Sequence, residues 1–401
     1  MVTTRVAPTQ LIDKMARSIG ELVSAGVVWD SADDVPYTGR HVVIDGRPLR
    51  NFGGCSYLGL EQRPELREAA IQAVHRYGTQ FSFSRAYLEC PLYRTLEAQL
   101  ARITGGVPLV TASTSLGHLA ALPVLVQPGD AMILDLAAHA SLHTAASLVR
   151  GATLARARHN HLGDVERHIT RLAPAHRRIW LLTDGVYSMH GDLAPLSELA
   201  ALQERHPQLH LYVDDAHGTS WCGLYGRGHA LARLRERSRV VVALSLNKAF
   251  SAAGGALVFP TDELRAQVRM CGGPMIFSGP VQPPMLGAAV AAAALHLAPD
   301  HEALQQQLFA RIDLLIARAR AHDVPLASVD RTPIFYVPTG EARRTIVLAQ
   351  RLRERGFYAC PSVFPAVSER EAGVRLTVSL HNTEEDIEDL MRTFNVLLAP
   401  Q

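Results

Sequence analysis

The sequence predicts an α/β protein with a mostly parallel sheet, followed by a smaller α+β domain. From Asn51 to about Phe259 short apolar, β-branched runs alternate with helical stretches, the pattern that builds parallel sheets. After about Leu295 the texture changes to long helices between isolated strands. Of 401 residues, 48% are apolar and 19% charged, which is ample for a large buried core and excludes a disordered chain.

Residues 1–50 hold one candidate helix, 10–25, and then polar, turn-rich sequence, so they read as an arm or entry segment. A helix is expected over 64–77, with Pro64 in its first turn and Leu66, Ala69, Ala70, Ala73 and Val74 as its apolar stripe. Another should begin near Ser115, run through Leu116, Leu119, Ala120 and Val124 with a disturbance at Pro123, and stop before the Gln127-Pro128-Gly129-Asp130 turn. Strands are expected over 131–136, 178–183, 209–213, 240–244 and 256–259. The domain boundaries follow: an arm over 1–50, a large domain over 51–295 and a small C-terminal domain over 296–401. In the last, helices over 301–322 and 341–355 flank strands at 334–337 and around Phe357 and Arg375. Its final helix is signalled by Thr383 with Asp386, a capping box, ahead of Ile387, Leu390, Met391, Phe394, Leu397 and Leu398.

Forty Lys plus Arg against 38 Asp plus Glu give a net charge of +2, so nucleic acid is not an expected partner. The longest nearly uncharged stretch, 287–299, is short of the ~18 to 20 residues that cross a bilayer, and no basic-then-apolar leader opens the chain. A soluble, cytoplasmic protein with no membrane partner is expected. Five scattered cysteines without a C-x-x-C pair suggest neither a disulfide framework nor a metal site. Most of the 18 histidines are expected to be solvated.

The strongest local signal is Leu211-Tyr212-Val213-Asp214-Asp215-Ala216-His217-Gly218-Thr219, an apolar strand delivering an acid and then a histidine at the carboxyl end, where open α/β sheets bind ligands. A later strand ends in Ser245-Leu246-Asn247-Lys248-Ala249-Phe250. A lysine just past a buried strand is costly unless paired or covalently used. Acid and lysine together suit pyridoxal phosphate: the lysine forms a Schiff base and the acid keeps the pyridine nitrogen protonated. Alone, Asp214 reads equally well as a helix cap and Lys248 as a loop residue. Ser113, Thr114 and Ser115 open a helix, where free N–H groups and hydroxyls can bind phosphate, although Ser and Thr are also ordinary caps. His139 follows another strand on the same side of the sheet and could stack on a planar cofactor.

Together these stretches resemble the α-oxoamine synthases, the fold-type-I pyridoxal phosphate enzymes that include 8-amino-7-oxononanoate synthase, over roughly residues 51–398. The resemblance rests on Tyr57-Leu58-Gly59-Leu60, His139-Ala140-Ser141-Leu142, Asp184-Gly185-Val186-Tyr187-Ser188-Met189-His190-Gly191-Asp192, Asp214 to Thr219, Gly226-Arg227-Gly228, Ser245 to Phe250 and Arg375-Leu376-Thr377. It implies that Lys248 carries the cofactor and later moves the Cα proton, Asp214 pairs with the ring nitrogen, His217 bonds the ring hydroxyl and His139 stacks over the ring. Ser188 would lie beside that hydroxyl and Ser245 at the phosphate. Arg375 would clamp the substrate carboxylate with its planar guanidinium. A homodimer is implied too, with Ser278 reaching a neighbouring cofactor.

The chain departs from the family in four places. Cys55 stands two residues before Tyr57, where an asparagine is usual nearby, and so becomes a candidate substrate contact. A glycine-rich loop is replaced by residues 79–87, with Phe81, Phe83, Arg85 and Tyr87, of which Arg85 either meets a substrate anion or pairs internally. The usual Gly-Phe-x-x-Asn segment is Thr114-Ser115-Leu116-Gly117-His118. The usual Ser-Thr pair is reduced to Phe277-Ser278-Gly279-Pro280. The leading expectation is condensation of an amino acid with an acyl thioester, on coenzyme A or a carrier protein, with decarboxylation to an α-amino ketone. The alternatives are an aminotransferase, lyase or decarboxylase without an acyl donor, and a non-catalytic subunit of the same fold.

Overall fold

The computed structural model describes residues 8–399, which fall into two compact units. The larger comprises Leu58–Ser188 and Leu193–Gln306. Its centre is a seven-stranded sheet in the order Val107–Thr111, Gly255–Phe259, Val240–Ser245, Leu209–Asp214, Ile179–Asp184, Ala131–Asp135, Thr153–Ala157. All neighbours run parallel except Gly255–Phe259, which is antiparallel to both of its neighbours. The inner strands are buried along their whole length except at His210, which is why they read as apolar runs.

Both edge strands escaped the sequence reading. Val107–Thr111 carries Pro108, which a ladder tolerates at an edge, and Thr153–Ala157 has only Leu154 among Thr, Ala and Arg, with Ala155 and Ala157 its buried residues. One face of the sheet packs on the helices Thr114–Leu125 and Ala140–Ser147 through Leu122, Leu125, Leu142, Ala145, Met132, Leu134, Trp180 and Leu182. Pro123 lies inside its helix without ending it. The helix Pro64–Tyr77 spans the expected residues and closes at Gly78.

In the smaller unit, described over residues 8–57, 189–192 and 307–399, the expected 1–50 arm is not a separate segment. His41–Ile44 and Arg47–Asn51 form a hairpin, and Arg50 and Asn51 pair in parallel with Phe357 and Tyr358. The helix Pro8–Ser24 contributes Leu22 to a cluster with Val27, Ala349, Val363 and Ala372. These backbone ladders and the shared core join residues 8–57 to the C-terminal ones, where the sequence reading divided the chain at residue 50. Gly373–Thr377 is the central strand of a second sheet, antiparallel to Ile334–Pro338 and Cys360–Ser362. The capping box forms as expected: Thr383 Oγ1 accepts from Asp386 N–H, and Asp386 accepts from Thr383 N–H while also taking two bonds from Arg40 at 2.9 Å each. No helix among the described residues is long and apolar enough to cross a membrane.

Candidate functional site

Parallel strands end at one edge of the sheet, so their last residues and the turns that follow converge. Asp184 and Asp214 end adjacent strands and are paired directly in register. Ser245 ends the next strand, and Lys248 follows in a tight loop. That loop is closed by Leu246 N–H to Gly254 O at 3.0 Å, Ala252 N–H to Leu246 O at 2.8 Å and Ser251 N–H to Lys248 O at 2.8 Å. Ser245 Oγ accepts from Asn247 N–H at 3.2 Å, and Lys248 is partly buried. The lysine is therefore held by backbone rather than carried on a mobile tail.

Asp214 is 5% exposed, and burial works against its charge. His118, Lys248 and the Ala216 N–H, which donates to Asp214 Oδ1 at 3.0 Å, more than offset that burial and hold the carboxyl below its ordinary pKa. Asp184 goes the other way. Burial, reinforced by the Asp214 charge, pushes it well above the carboxylate range, and its Oδ1 accepts from the His139 N–H at 3.1 Å. His139 is the exposed N-cap residue of Ala140–Ser147, with Nδ1 at 2.6 Å from Ser141 Oγ.

Thr114–Leu125 begins beside this edge. Ser113 Oγ caps it by accepting from Leu116 N–H at 3.1 Å, and Thr114 Oγ1 donates to Leu244 O at 3.0 Å. Both hydroxyls are thus engaged with backbone, and the helix offers a phosphate the first-turn N–H groups of Thr114 and Ser115. A Cβ on Gly255 would collide with Thr114, so the glycine permits this close approach of strand to helix. His217 and Ser188 follow the Asp214 and Asp184 strands, His217 buried and Ser188 partly so.

The acid next to Asp214 has a different task. Asp215 is fully buried and pushed well above its ordinary pKa by that burial. Its Oδ2 accepts from Ala230 N–H at 2.8 Å at the start of His229–Arg233. A Cβ on Gly218 or Gly228 would strike this carboxyl. The glycines of the Asp214 to Thr219 and Gly226-Arg227-Gly228 stretches therefore serve a buried cap.

Arg85 is held by partners inside the larger unit. Its side chain is 6% exposed and bonds Val110 O at 2.6 Å, Glu89 at 3.0 Å and Glu97 at 3.1 Å, with the guanidinium 3.7 Å over the Tyr93 ring. Of the two readings of this cation, these contacts support internal pairing over a substrate contact. Ser278, in the segment after Gly273–Phe277, lines a small cavity that Arg85 also lines.

In the smaller unit Arg375 is 8% exposed on its central strand, with Nη2 3.7 Å from Cys55 Sγ and the Tyr57 phenol and Cys360 thiol close by. Burial alone would weaken this guanidinium, and the neighbouring Cys55 and Tyr57 oppose that. Three residues were missed by sequence reasoning: His118, Asp184 as a neighbour of Asp214, and Asp215 as a cap. His118 had a readable signal, since four residues after Thr114 it lies one turn along the same helix face. A second missed signal is composition: Lys14 and Lys248 are the only lysines in the sequence.

The donor set fits pyridoxal 5′-phosphate: an amine held at one strand end, a carboxylate kept ionised at the neighbouring one, an exposed imidazole and a helix N-terminus. The aminotransferase class I and II family model matches residues 49–394. The chain is 35% identical over 371 residues to 8-amino-7-oxononanoate synthase of Maricaulis maris, covering 90% of each. It is 28% identical to the human mitochondrial 2-amino-3-ketobutyrate coenzyme A ligase, covering 89% of this chain and 84% of the relative. Among solved structures, serine palmitoyltransferase of Sphingomonas wittichii superposes with a TM-score of 0.88 at 23% identity over 98% of both chains. The 8-amino-7-oxononanoate synthase of Francisella tularensis superposes at 0.71 with 22% identity, over 87% of this chain and 98% of its own.

Proposed function

This chain belongs to the aminotransferase class I and II family and, within it, to the α-oxoamine synthases; on that premise we propose that it condenses an amino acid with an acyl thioester, releasing carbon dioxide and an α-amino ketone. It is a pyridoxal phosphate-dependent enzyme. The observation that carries the reading is Asp214, a buried carboxylate kept ionised one strand away from Lys248.

When bound, pyridoxal phosphate supplies an electron sink that loosens the bonds at the substrate Cα. The rest is work for the chain. Lys248 Nζ would hold the aldehyde carbon and, once released from it, take and return the Cα proton. Asp214 would keep a proton on the ring nitrogen, and His139 and His217 would fix the ring by stacking and by a bond to its hydroxyl. The Thr114 and Ser115 N–H groups, with Ser245, would hold the phosphate. Arg375 would orient the substrate by its carboxylate, so that the bond to be broken lies perpendicular to the ring.

The enzyme is further proposed to act as a homodimer. In the larger unit Phe83, Tyr87, Leu88, Met270 and Phe277 are exposed, Phe277 by 87% and Tyr87 by 89%. Their two segments are tied together by Ser84 Oγ to Ile276 O at 2.7 Å and Phe81 N–H to Gln282 Oε1 at 3.1 Å. Exposed apolar surface of this kind supports an interface there.

The test is to incubate the purified enzyme with each amino acid, with and without acyl thioesters on coenzyme A or a carrier protein, and to weigh the products. Carbon dioxide released only with thioester supports the condensation. An oxo acid formed without thioester overturns it in favour of amino transfer.

A further inference from the structure

His118 connects the candidate cofactor carboxylate to a second buried group. Its Nε2 lies 2.8 Å from Asp214 Oδ2 and its Nδ1 2.9 Å from Tyr212 Oη. All three side chains are buried, His118 and Tyr212 completely, so each bond is made away from water. Tyr212 and Asp214 come from alternate positions of one strand and point to the same face, and His118 comes from the helix packed on that face.

Proton placement follows from the donor inventory. Burial and the Asp214 charge push the Tyr212 phenol well above its ordinary pKa, so it keeps a proton that it can donate to Nδ1. With the phenol donating, Nδ1 accepts and an Nε2 proton faces Asp214, the arrangement that gives every group of the chain a partner. The resulting chain runs Tyr212 O–H to His118 Nδ1, then Nε2–H to Asp214 Oδ2, while Oδ1 takes the Ala216 N–H. Reversing the tautomer would set a lone pair against the carboxylate and leave a buried donor facing a phenol that has no better partner.

We propose that His118 is a positioning residue that, with Tyr212 fixing its tautomer, sets how firmly Asp214 holds the pyridine nitrogen of the cofactor. The residue stands where the family resemblance leads one to expect asparagine, an amide with no second ring nitrogen to carry the chain through to Tyr212. Linked hydrogen bonds in a buried site polarise one another, so the carboxylate is oriented and ionised before any ligand arrives. This inference rests on the pyridoxal phosphate reading, and its test separates the two.

Apo-enzyme is titrated with pyridoxal phosphate and with the analogue carrying carbon in place of the ring nitrogen, for the wild type and for His118→Phe, His118→Asn and Tyr212→Phe, alongside apo-protein melting. The expected result is that His118→Phe weakens pyridoxal phosphate about tenfold or more, with kcat falling and KM little changed, while affinity for the analogue is unaltered. His118→Asn should recover part of the loss, and Tyr212→Phe should show a smaller loss with the same selectivity. Where His118→Phe does not fold, the other two variants carry the comparison. Equal weakening of both ligands, or of neither, overturns the role for His118. Failure of the wild type to bind either one overturns the pyridoxal phosphate reading itself.

Discussion

Asp184 and Asp214 face each other across two parallel strands, yet their carboxyls are driven apart: burial and the neighbouring charge push Asp184 up, while His118, Lys248 and the Ala216 amide hold Asp214 down. Two adjacent buried carboxylates cannot both ionise cheaply, and the hydrogen-bond donors decide which one does. One strand end thus acquires a fixed negative charge and its neighbour a neutral anchor for the His139 backbone.

That asymmetry extends to the next residue and gives a paired prediction. Asp214→Asn should fold and bind cofactor but lose turnover by roughly a hundredfold or more, because an amide cannot keep the ring nitrogen protonated. Asp215→Asn should be nearly silent, within about 1 kcal/mol in stability, since a carboxyl already neutralised by burial is close to an amide in shape and still accepts from Ala230. Steady-state kinetics with urea melts of both variants check this. Loss of turnover in Asp215→Asn alone would show that the two roles have been exchanged.

Lys248 should be the attachment point of the cofactor. The purified protein should show a visible absorbance band that Lys248→Ala abolishes, and borohydride reduction should leave the cofactor on a single peptide. With Lys14 as the only other lysine, and that one paired with Glu369 at 2.9 Å, peptide mass mapping has two possible answers. Label on Lys14, or none, would contradict the assignment.

Much of this site was legible because its parts sit at strand ends, and buried parallel strands announce themselves as apolar runs: Asp214, Ser245 and Lys248 were all placed by that logic. What was not legible depends on contacts distant in sequence. The His118 bond to Asp214 spans 96 residues, and the Arg85 pairing with Glu97 and Val110 needs the loop folded back on its own helix. The hairpin over residues 41–51 was hidden for a related reason: it pairs with Phe357 and Tyr358, far along the chain. The edge strands were harder to read for separate reasons: Pro108 interrupts the apolar run of Val107–Thr111, and Arg156 and two alanines dilute that of Thr153–Ala157.

Arg85→Ala should therefore act on stability rather than substrate choice. It strips a buried cation from Glu89 and Glu97, and breaking a buried pair in this way costs about 3 to 5 kcal/mol. Arg269 and Arg265 also contact these carboxylates and should soften the loss. A lowered melting temperature with an unchanged KM for both substrates is expected. A normal melt with a sharply raised KM would return Arg85 to the substrate site.

Phe277→Asp should shift the proposed dimer toward monomer, since it places a charge in the exposed apolar surface formed with Phe83 and Tyr87. Analytical ultracentrifugation at several concentrations measures this. A wild type that sediments as an active monomer would dispose of the dimer, and a variant that dimerises normally would move the interface elsewhere.

Acid should destabilise the protein through two buried, neighbouring histidines. His296, fully buried, is pushed down to about 3 by burial and by His301, and His301 is pushed down to about 4 by burial. Their rings are 4.3 Å apart, with Phe250 stacked on His296 at 4.5 Å, and His296 Nε2 meets Ser220 Oγ at 2.6 Å. Both are neutral in the folded protein, whereas the unfolded chain binds their protons near the ordinary value of ~6.5. The unfolded state therefore holds more protons below that pH, and stability falls as pH drops from about 6.5 toward 4. Replacing both, as His296→Phe with His301→Leu, should cost stability at neutral pH by leaving Ser220 without its partner, but should flatten the decline over this range. Urea midpoints from pH 7.5 to 4.5 for both proteins provide the comparison, and an unchanged slope in the double variant would mean that other groups drive the acid loss.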